Sequence, residues 1–263
     1  MAGTYFHKGA MHGINLARAM TEPQCFIYDG DFFSQFDNDT NESEGGYIIS
    51  GAGTETAVLT SMVPRQVLTV GTGQTDNNSF FMTRQSAVGA FDITIGSGRK
   101  VAYETRLRIN EGSEIAIFAG LCQAATVTED TLVADNTGIL GNFDTIGIHC
   151  LMHATDVDVD GVSRILGGAT QTGADTMTED ADAVFHIYGF QFDGNKTITW
   201  FVDNAVFSTQ TIVAATFPTG EALVPTWTVK TGDATGDATA VRSIKIDYWQ
   251  CVELLLSEDA LAD

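Results

Sequence analysis

Apolar and polar residues alternate at every second position along much of this chain of 263 residues. In VAYETRLRI (101–109) the odd positions share one face, and the charged side chains, Glu104 among them, share the other. RSIKIDYWQ (242–250) repeats the pattern and places Tyr248 on the apolar face and Asp247 on the polar face. Because side chains of a strand point alternately to the two faces of a sheet, both segments are predicted to be half-buried β-strands.

Turn-forming residues separate the predicted strands at short intervals. The segment FHIYGFQFDGNKTITWFVDNAVFSTQ (185–210) is predicted to form three strands, joined at DGN (193–195) and DN (203–204), whose residues tolerate positive φ. Further strands are predicted at 47–50, 56–63, 66–70, 79–83, 90–95, 114–122, 145–153, 162–168 and 223–229. Many short strands with closely spaced turns favour an all-β, antiparallel sandwich or barrel.

Charge excludes one class of partner. Thirteen Lys and Arg residues stand against 34 Asp and Glu residues, a formal net charge of -21. Such a chain repels a polyanion, so we expect no nucleic-acid partner.

No stretch is long enough to cross a bilayer, and the N-terminus lacks the apolar run of a secretory signal. We therefore expect no membrane partner, and synthesis in a cytoplasm.

The cysteines and histidines form no recognisable metal or redox motif. The four cysteines lie far apart without a C-x-x-C pair, which favours small buried hydrophobes over disulfides or a zinc site. They are Cys25, Cys122, Cys150 and Cys251. His149 and His153 would share one face of a strand, but no third ligand lies nearby. Core or surface histidines are the favoured interpretation.

One acidic segment, TDVDVDGVSR (155–164), begins like a calcium loop. Asp156, Asp158 and Asp160 with the following glycine fit the first half of an EF-hand, but Gly167 stands where a bidentate Glu belongs. The EF-hand interpretation therefore fails. The three aspartates stay a candidate calcium site, against the favoured interpretation of an acidic hairpin turn that keeps an edge soluble. No other cofactor is predicted.

The order of the segments resembles a known family. The segments in question are YDGDFFSQF, GRKVAYETRLRINEGSEIAIFAGLCQ, FDTIGIHCLMHATDVDVDG, the three-strand segment 185–210 and RSIKIDYWQCVE. Together they resemble the concanavalin A-like (laminin G-like) jelly-roll domains encoded in tailed-bacteriophage genomes. YETRL (103–107) fits that family's "fEaRvri" strand, and FAGL (118–121) fits its "vGLt" strand. DGN through Asp203 and IDYW (246–249) fit the later strands.

The resemblance implies a jelly-roll β-sandwich over 26–253, with an N-terminal arm at 1–25 and an acidic tail at 254–263. Phage domains of this kind are virion structural proteins, so it implies a capsid decoration (cement) protein on the capsid exterior. Its expected partners are the major capsid protein lattice and further copies of itself, with a trimer favoured. Lys8 and Arg18 in the arm are the candidate partner-binding residues.

A lectin is the alternative function. On that interpretation the chain is a carbohydrate-binding adhesin module of a phage tail fibre or head spike, and its partners are host-surface glycans. Sugar sites on such sandwiches use loop carboxylates, an amide and an aromatic platform, often around calcium. Asp156, Asp158 and Asp160 could supply the oxygens. The tryptophans at 200, 227 and 249 could stack on a sugar, although their apolar strand contexts favour the core.

Glycoside hydrolases also occur on this fold, and the retaining enzymes need two carboxylates about 5 Å apart. Those relatives place them on one strand as Glu-x-Asp-x-x-Glu, a run that is absent here. Glu104 and Asp247 are the nearest acidic strand residues, and each is predicted to stand alone on an outward face. Gly-x-Ser-x-Gly and His-Glu-x-x-His are absent too. The chain is therefore predicted not to be an enzyme, and no catalytic residue is assigned.

Overall fold

The structure, a computed structural model, describes part of the chain. The described residues are 25–31, 43–44, 47–52, 56–62, 65–71, 75–84, 91–109, 114–123, 127–134, 139–150, 158–178, 184–232 and 243–254. Nearly all of them lie in strands or in the turns between strands, as the alternation predicts. None of the helices in this part of the chain is long and apolar enough to cross a membrane. The predicted arm and tail, with Lys8 and Arg18, lie outside the described residues apart from their inner ends.

Seventeen strands and one short helix make up the described fold. The strands are β1 (Cys25–Asp31), β2 (Ser43–Glu44), β3 (Tyr47–Ala52), β4 (Thr56–Met62), β5 (Arg65–Gly71), β6 (Ser79–Arg84), β7 (Phe91–Ile93), β8 (Lys100–Ile109), β9 (Ile115–Gln123), β10 (Thr145–Cys150), β11 (Val159–Arg164), β12 (Gln171–Thr178), β13 (His186–Phe192), β14 (Thr197–Val202), β15 (Ala205–Thr211), β16 (Glu221–Thr231) and β17 (Ser243–Leu254). The helix α1 is Glu129–Leu132.

The strands form two antiparallel sheets. Sheet 1 has eight strands in the order β15-β14-β13-β8-β17-β5-β4, with β1 also paired to β17. Sheet 2 has nine strands in the order β12-β11-β10-β9-β16-β6-β3-β2, with β7 also paired to β16. The inner faces of both sheets contribute to one hydrophobic core. The predicted all-β antiparallel sandwich is therefore confirmed.

Aromatic side chains fill the space between the sheets. Trp200, Trp227 and Trp249 are all fully buried, and the last two lie against each other across the sandwich with ring centroids 5.1 Å apart. Gly161 of β11 makes room for Trp200, because a Cβ at that position would lie 2.5 Å from the indole ring. Burying aromatic rings of this size supplies much of the free energy that holds two such layers together.

Strand β17 departs from its predicted alternation in its second half. Ile244 and Ile246 lie in the core as predicted, but the register against β8 shifts immediately afterwards. Beyond the shift Tyr248 lies opposite Arg106 on the outer face, while Trp249 lies in the core. The prediction of an inward Tyr248 is wrong, because a β-bulge inserts a residue and reverses the faces that follow it.

The loop between β9 and β10 covers the outer face of sheet 2. We call its described residues, 127–134 and 139–143, the cap. Its apolar side chains form a second hydrophobic cluster with outward residues of the sheet. The cluster comprises Leu132, Val133 and Leu140 of the cap and Phe81, Ala116, Phe118, Cys122 and Val162 of the sheet. The central part of this face is therefore an interior surface instead of an open groove.

Candidate functional site

Three aspartates meet beside the edge of sheet 2. Asp158 and Asp160 lie at the start of β11, and Asp175 lies on the adjacent edge strand β12. One carboxylate oxygen of each lies within 4.8 Å of those of the other two. Asp158 and Asp160 are half-buried, whereas Asp175 is exposed. The structure thus brings together two of the predicted ligands, and Asp156 lies outside the described residues.

An irregular pairing of β11 with β12 brings Asp175 into this acidic cluster. Val159 pairs with Thr178 and Gly161 with Ala174, so two residues of β11 span four residues of β12. Asp160 lies within strand β11, so the predicted hairpin turn over Asp158 and Asp160 is wrong at Asp160. The extended backbone there still places both side chains beside the irregular stretch of β12. A bulge of this kind redirects side chains at a sheet edge.

The oxygens lie close enough together for one hard cation to contact all three. The carboxylate oxygens of Asp158, Asp160 and Asp175 lie within 4.8 Å of one another. Ca²⁺ accepts six to eight oxygen ligands in flexible geometry at about 2.3–2.6 Å, whereas Mg²⁺ demands near-ideal octahedral geometry at about 2.0–2.1 Å. An irregular sheet edge therefore favours Ca²⁺ as the candidate ion. Three carboxylates on a chain of net charge -21 also repel one another, and a bound cation relieves that repulsion.

His149 adjoins the acidic cluster. It lies on β10 directly opposite Asp160 and is 5% exposed, which agrees with the favoured interpretation of a core histidine. Its predicted companion His153 lies outside the described residues. His149 therefore borders the acidic cluster on the side of the sheet centre, while Asp175 borders it on the side of the sheet edge.

Glu104 and Asp247 do not stand alone, contrary to the prediction. Each has side-chain partners of its own in sheet 1. Glu104 Oε1 accepts hydrogen bonds from the Tyr248 hydroxyl at 2.6 Å and from Gln250 Nε2 at 3.1 Å. The buried Asp247 carboxylate forms an ion pair with Arg106. Burial, and then the neighbouring Glu104 charge, raise the pKa of Tyr248, so this hydroxyl stays a donor.

The cysteines and tryptophans are structural where the structure describes their side chains. Cys122, Cys150 and Cys251 are buried free thiols, as predicted. Burial raises the pKa of Cys122 and of Cys251, which suppresses the reactive thiolate form. The three tryptophans are fully buried, so none of them is available to stack on a sugar.

Comparison with known proteins identifies the fold. No protein-family model matches the sequence, and no curated protein is similar to it in sequence. A β-1,3-glucanase from Mycobacterium marinum is 11% identical with a TM-score of 0.53, over 85% of this chain and 97% of the glucanase. Basic winged bean lectin, solved with Tn-antigen, is 12% identical with a TM-score of 0.52, over 87% and 98%. The exoplasmic/lumenal domain of VIP36, solved in a Ca²⁺/Man3GlcNAc-bound form, is 12% identical with a TM-score of 0.50, over 83% and 88%.

Identities this low show the fold alone. The chain has the concanavalin A-like, legume-lectin-like jelly-roll fold that its segment order predicts. Both lectins and a glucanase share that fold, so the fold does not decide between binding and hydrolysis. The phage context implied by the segment order stays a prediction.

Proposed function

We propose that this chain is a non-catalytic carbohydrate-binding protein, an adhesin module of a phage tail fibre or head spike. The observation that supports it is the acidic cluster of Asp158, Asp160 and Asp175, whose oxygens lie within 4.8 Å of one another at the edge of a lectin-like sandwich. A calcium ion held there leaves coordination positions open to sugar hydroxyls, since Ca²⁺ takes six to eight oxygen ligands. The fold neighbours that were solved with bound glycans make this the favoured ligand class.

The carboxylates of sheet 1 support a binding role over hydrolysis. A retaining glycosidase needs one carboxylate as nucleophile and a second as acid, both facing the scissile bond. Asp247 is 2% exposed and paired with Arg106, and Glu104 holds the Tyr248 hydroxyl and the Gln250 amide. Neither is presented to a substrate as such a pair. We therefore propose that the protein acts without breaking bonds.

A glycan array tests the proposal. The purified chain is expected to bind a subset of glycans in millimolar CaCl₂ and to lose that binding in EDTA. Asp175→Asn is expected to weaken binding at least tenfold, because it removes one of three charged ligands while leaving a side chain of the same size. Glu221→Gln is the matched control, since it removes one exposed negative charge from the start of β16. It is expected to leave binding unchanged.

Two results would contradict this function. Binding that is equal in CaCl₂ and EDTA would rule out a calcium-dependent site at the acidic cluster. An equal loss of binding in Asp175→Asn and Glu221→Gln would show that general charge, and not ligation, is responsible. A calcium titration followed by calorimetry gives an independent readout, because the Asp158→Asn/Asp160→Asn/Asp175→Asn variant is expected to show no calcium heat.

A capsid decoration protein is the second candidate, and one surface favours it. Strand β15 is the outermost strand of sheet 1 and is largely exposed, with Val206 62% and Phe207 43% exposed. No charged residue occurs between Asn204 and Glu221, although 18% of the chain is charged. An uncharged, partly apolar edge is where an acidic chain can dock on a lattice or on its own copies with least repulsion. Mass spectrometry of purified virions tests this candidate, which requires the chain in many copies per head.

A further inference from the structure

A row of paired residues crosses the outer face of sheet 1. Gln250 of β17 pairs with Glu104 of β8, which pairs with Gly189 of β13. Gly189 pairs in turn with Phe201 of β14, and Phe201 pairs with Val206 of β15. Paired residues point to the same face, so a carboxylate and a phenyl ring flank a position that has no side chain. The result is a shallow depression with Gly189 as its floor.

The floor of the depression is fixed by the backbone around it. A Cβ at Gly189 would lie 2.6 Å from the carbonyl oxygen of Tyr103, a contact that only a backbone shift could relieve. Glycine is therefore required at this position. The outward side chains that line the depression are those of Ala102, Glu104, Ile187, Gln191, Phe201 and Asn204. It thus combines one carboxylate, two amides and three apolar side chains.

Glu104 is held in place from the side facing away from the depression floor. Both of its donors, the Tyr248 hydroxyl and Gln250 Nε2, bond the same oxygen, Oε1. Oε2 accepts no hydrogen bond from any residue that the structure describes. The two donors reach Glu104 Oε1 because the bulge in β17 turns Tyr248 outward. A carboxylate fixed in this way can accept a further hydrogen bond without losing side-chain entropy.

The two amides also have unused hydrogen-bonding capacity. The side chains of Gln191 and Asn204 make no hydrogen bond within the described part of the chain. Asn204 has a positive φ of 67° in the β14–β15 turn, which places it at the rim of the depression. Each amide offers both a donor and an acceptor. A ring hydroxyl, which both donates and accepts, matches that pairing, whereas an ammonium ion can use only the acceptors.

We propose that this depression is a second saccharide subsite, one that needs no metal ion. Adjacent hydroxyls of a pyranose donate to Glu104 Oε2 and exchange hydrogen bonds with the Gln191 and Asn204 amides, while C–H groups of the ring contact Ile187 and Phe201. The choice of a sugar rests on the proposed carbohydrate-binding function. The location of the subsite does not rest on that function, since the depression lies on sheet 1 and the acidic cluster lies on sheet 2.

Amide NMR spectra of the ¹⁵N-labelled chain in EDTA test this subsite. The probes are the methyl pyranosides of glucose, galactose, mannose and N-acetylglucosamine, each titrated to saturation. At least one is expected to shift amides of 102–104, 187–191 and 201–204. Gln191→Leu keeps the bulk of the side chain and removes its amide, so it is expected to raise the dissociation constant at least tenfold. Thr211→Val on the neighbouring edge strand is the control, and no change is expected there.

The outcomes separate this inference from the proposed function. If no sugar shifts these amides in EDTA while the array shows calcium-dependent binding, the subsite is overturned and the proposed function stands. If the shifts occur in EDTA but Asp175→Asn leaves array binding intact, the subsite is supported and the acidic cluster loses its role. Equal titration curves for Gln191→Leu and the unmodified chain overturn the subsite. So does a response to methylammonium chloride without a response to any sugar.

Discussion

The carboxylate of Asp193 organises the tight connection between β13 and β14. Its Oδ1 accepts hydrogen bonds from the backbone N–H groups of Asn195 at 2.8 Å, Lys196 at 2.9 Å and Thr197 at 2.9 Å. Gly194 takes the positive φ, 80°, that the turn needs. Partial burial alone would raise the pKa of Asp193, but the N–H donors of Thr197, Asn195 and Lys196 outweigh it and lower the pKa. The DGN signal in the sequence therefore has a definite physical cause.

Asp193→Ala is expected to lower the free energy of unfolding by about 1 kcal/mol at neutral pH, because three backbone donors lose their acceptor. The folded-state pKa of Asp193 is below its ordinary value of 3.8. Its contribution is therefore fully present above that value and is lost as the pH falls through the lower folded-state pKa. Urea denaturation at neutral and strongly acidic pH measures this. A difference between variant and unmodified chain that persists below the folded-state pKa would contradict the assignment.

Individual residues of the acidic cluster differ in how far the sequence reveals them. Alternate aspartates at 156, 158 and 160 are visible as a motif. Asp175 is not, because it joins through the pairing of β11 with β12 and through an irregular register that no local pattern encodes. The Glu104 network is hidden for the same reason, since Tyr248 reaches Glu104 only after the bulge in β17. Contacts across strands depend on register, and single-sequence alternation does not determine register.

At the scale of elements, most strands are predicted well, the edge strands β4 and β15 included, and the edge strand β12 is missed. Predicted segments at 79–83, 114–122 and 223–229 match β6, β9 and β16 closely. The predicted strand 162–168 is displaced, because β11 ends at Arg164 and a turn follows it. Strand β12, with the sequence QTGADTMT, was not predicted. It has one neighbour in its sheet, so few apolar residues are needed to hold it.

The cap is an element that alternation cannot predict, because it has no regular strand of its own. Leu132 and Val133 are fully buried against the outer face of sheet 2. Lys230, itself fully buried, donates a hydrogen bond from Nζ to the carbonyl oxygen of Val133 at 3.3 Å. Arg164 donates to the carbonyl oxygen of Leu140. Apolar burial and two cationic donors to backbone carbonyls thus hold the cap on the sheet.

Leu132→Ala is expected to destabilise the protein by about 2–5 kcal/mol, because it leaves a cavity beneath the cap. In this variant the backbone amides of 127–134 are expected to exchange hydrogen faster, ahead of those in the rest of sheet 2, because local opening precedes global unfolding. Ile139→Ala is the matched control in the same cap, since Ile139 is 52% exposed and its removal should cost under about 0.5 kcal/mol. Hydrogen exchange followed by mass spectrometry measures both. Equal exchange rates in the two variants would show that the cap is not held by Leu132.

At the scale of the whole molecule, negative charge far exceeds positive charge, and two of the described arginines form ion pairs with carboxylates. Arg99 pairs with Asp92 at 3.3 Å and with the buried Glu253 at 3.4 Å, and Arg106 pairs with Asp247. These pairs leave most of the 34 acidic residues uncompensated, since only 13 Lys and Arg residues are present. Compaction brings the remaining negative charges closer together, and that self-repulsion opposes folding. The acidity of the chain therefore limits the stability of its fold.

Screening this repulsion should stabilise the fold. Raising NaCl from about 20 mM to about 300 mM shortens the Debye length well below the width of the sandwich. We expect a gain of about 1–2 kcal/mol and a rise in Tm of roughly 2–8 °C. Calorimetry in EDTA at pH 7.5 measures the shift without calcium binding, and the same pair of salt concentrations near the sequence pI of about 4.3 is the control. There the net charge vanishes and the salt effect should disappear. A Tm that falls with salt at pH 7.5 would instead mean that attractive ion pairs, such as those of Arg99 and Arg106, outweigh the net repulsion.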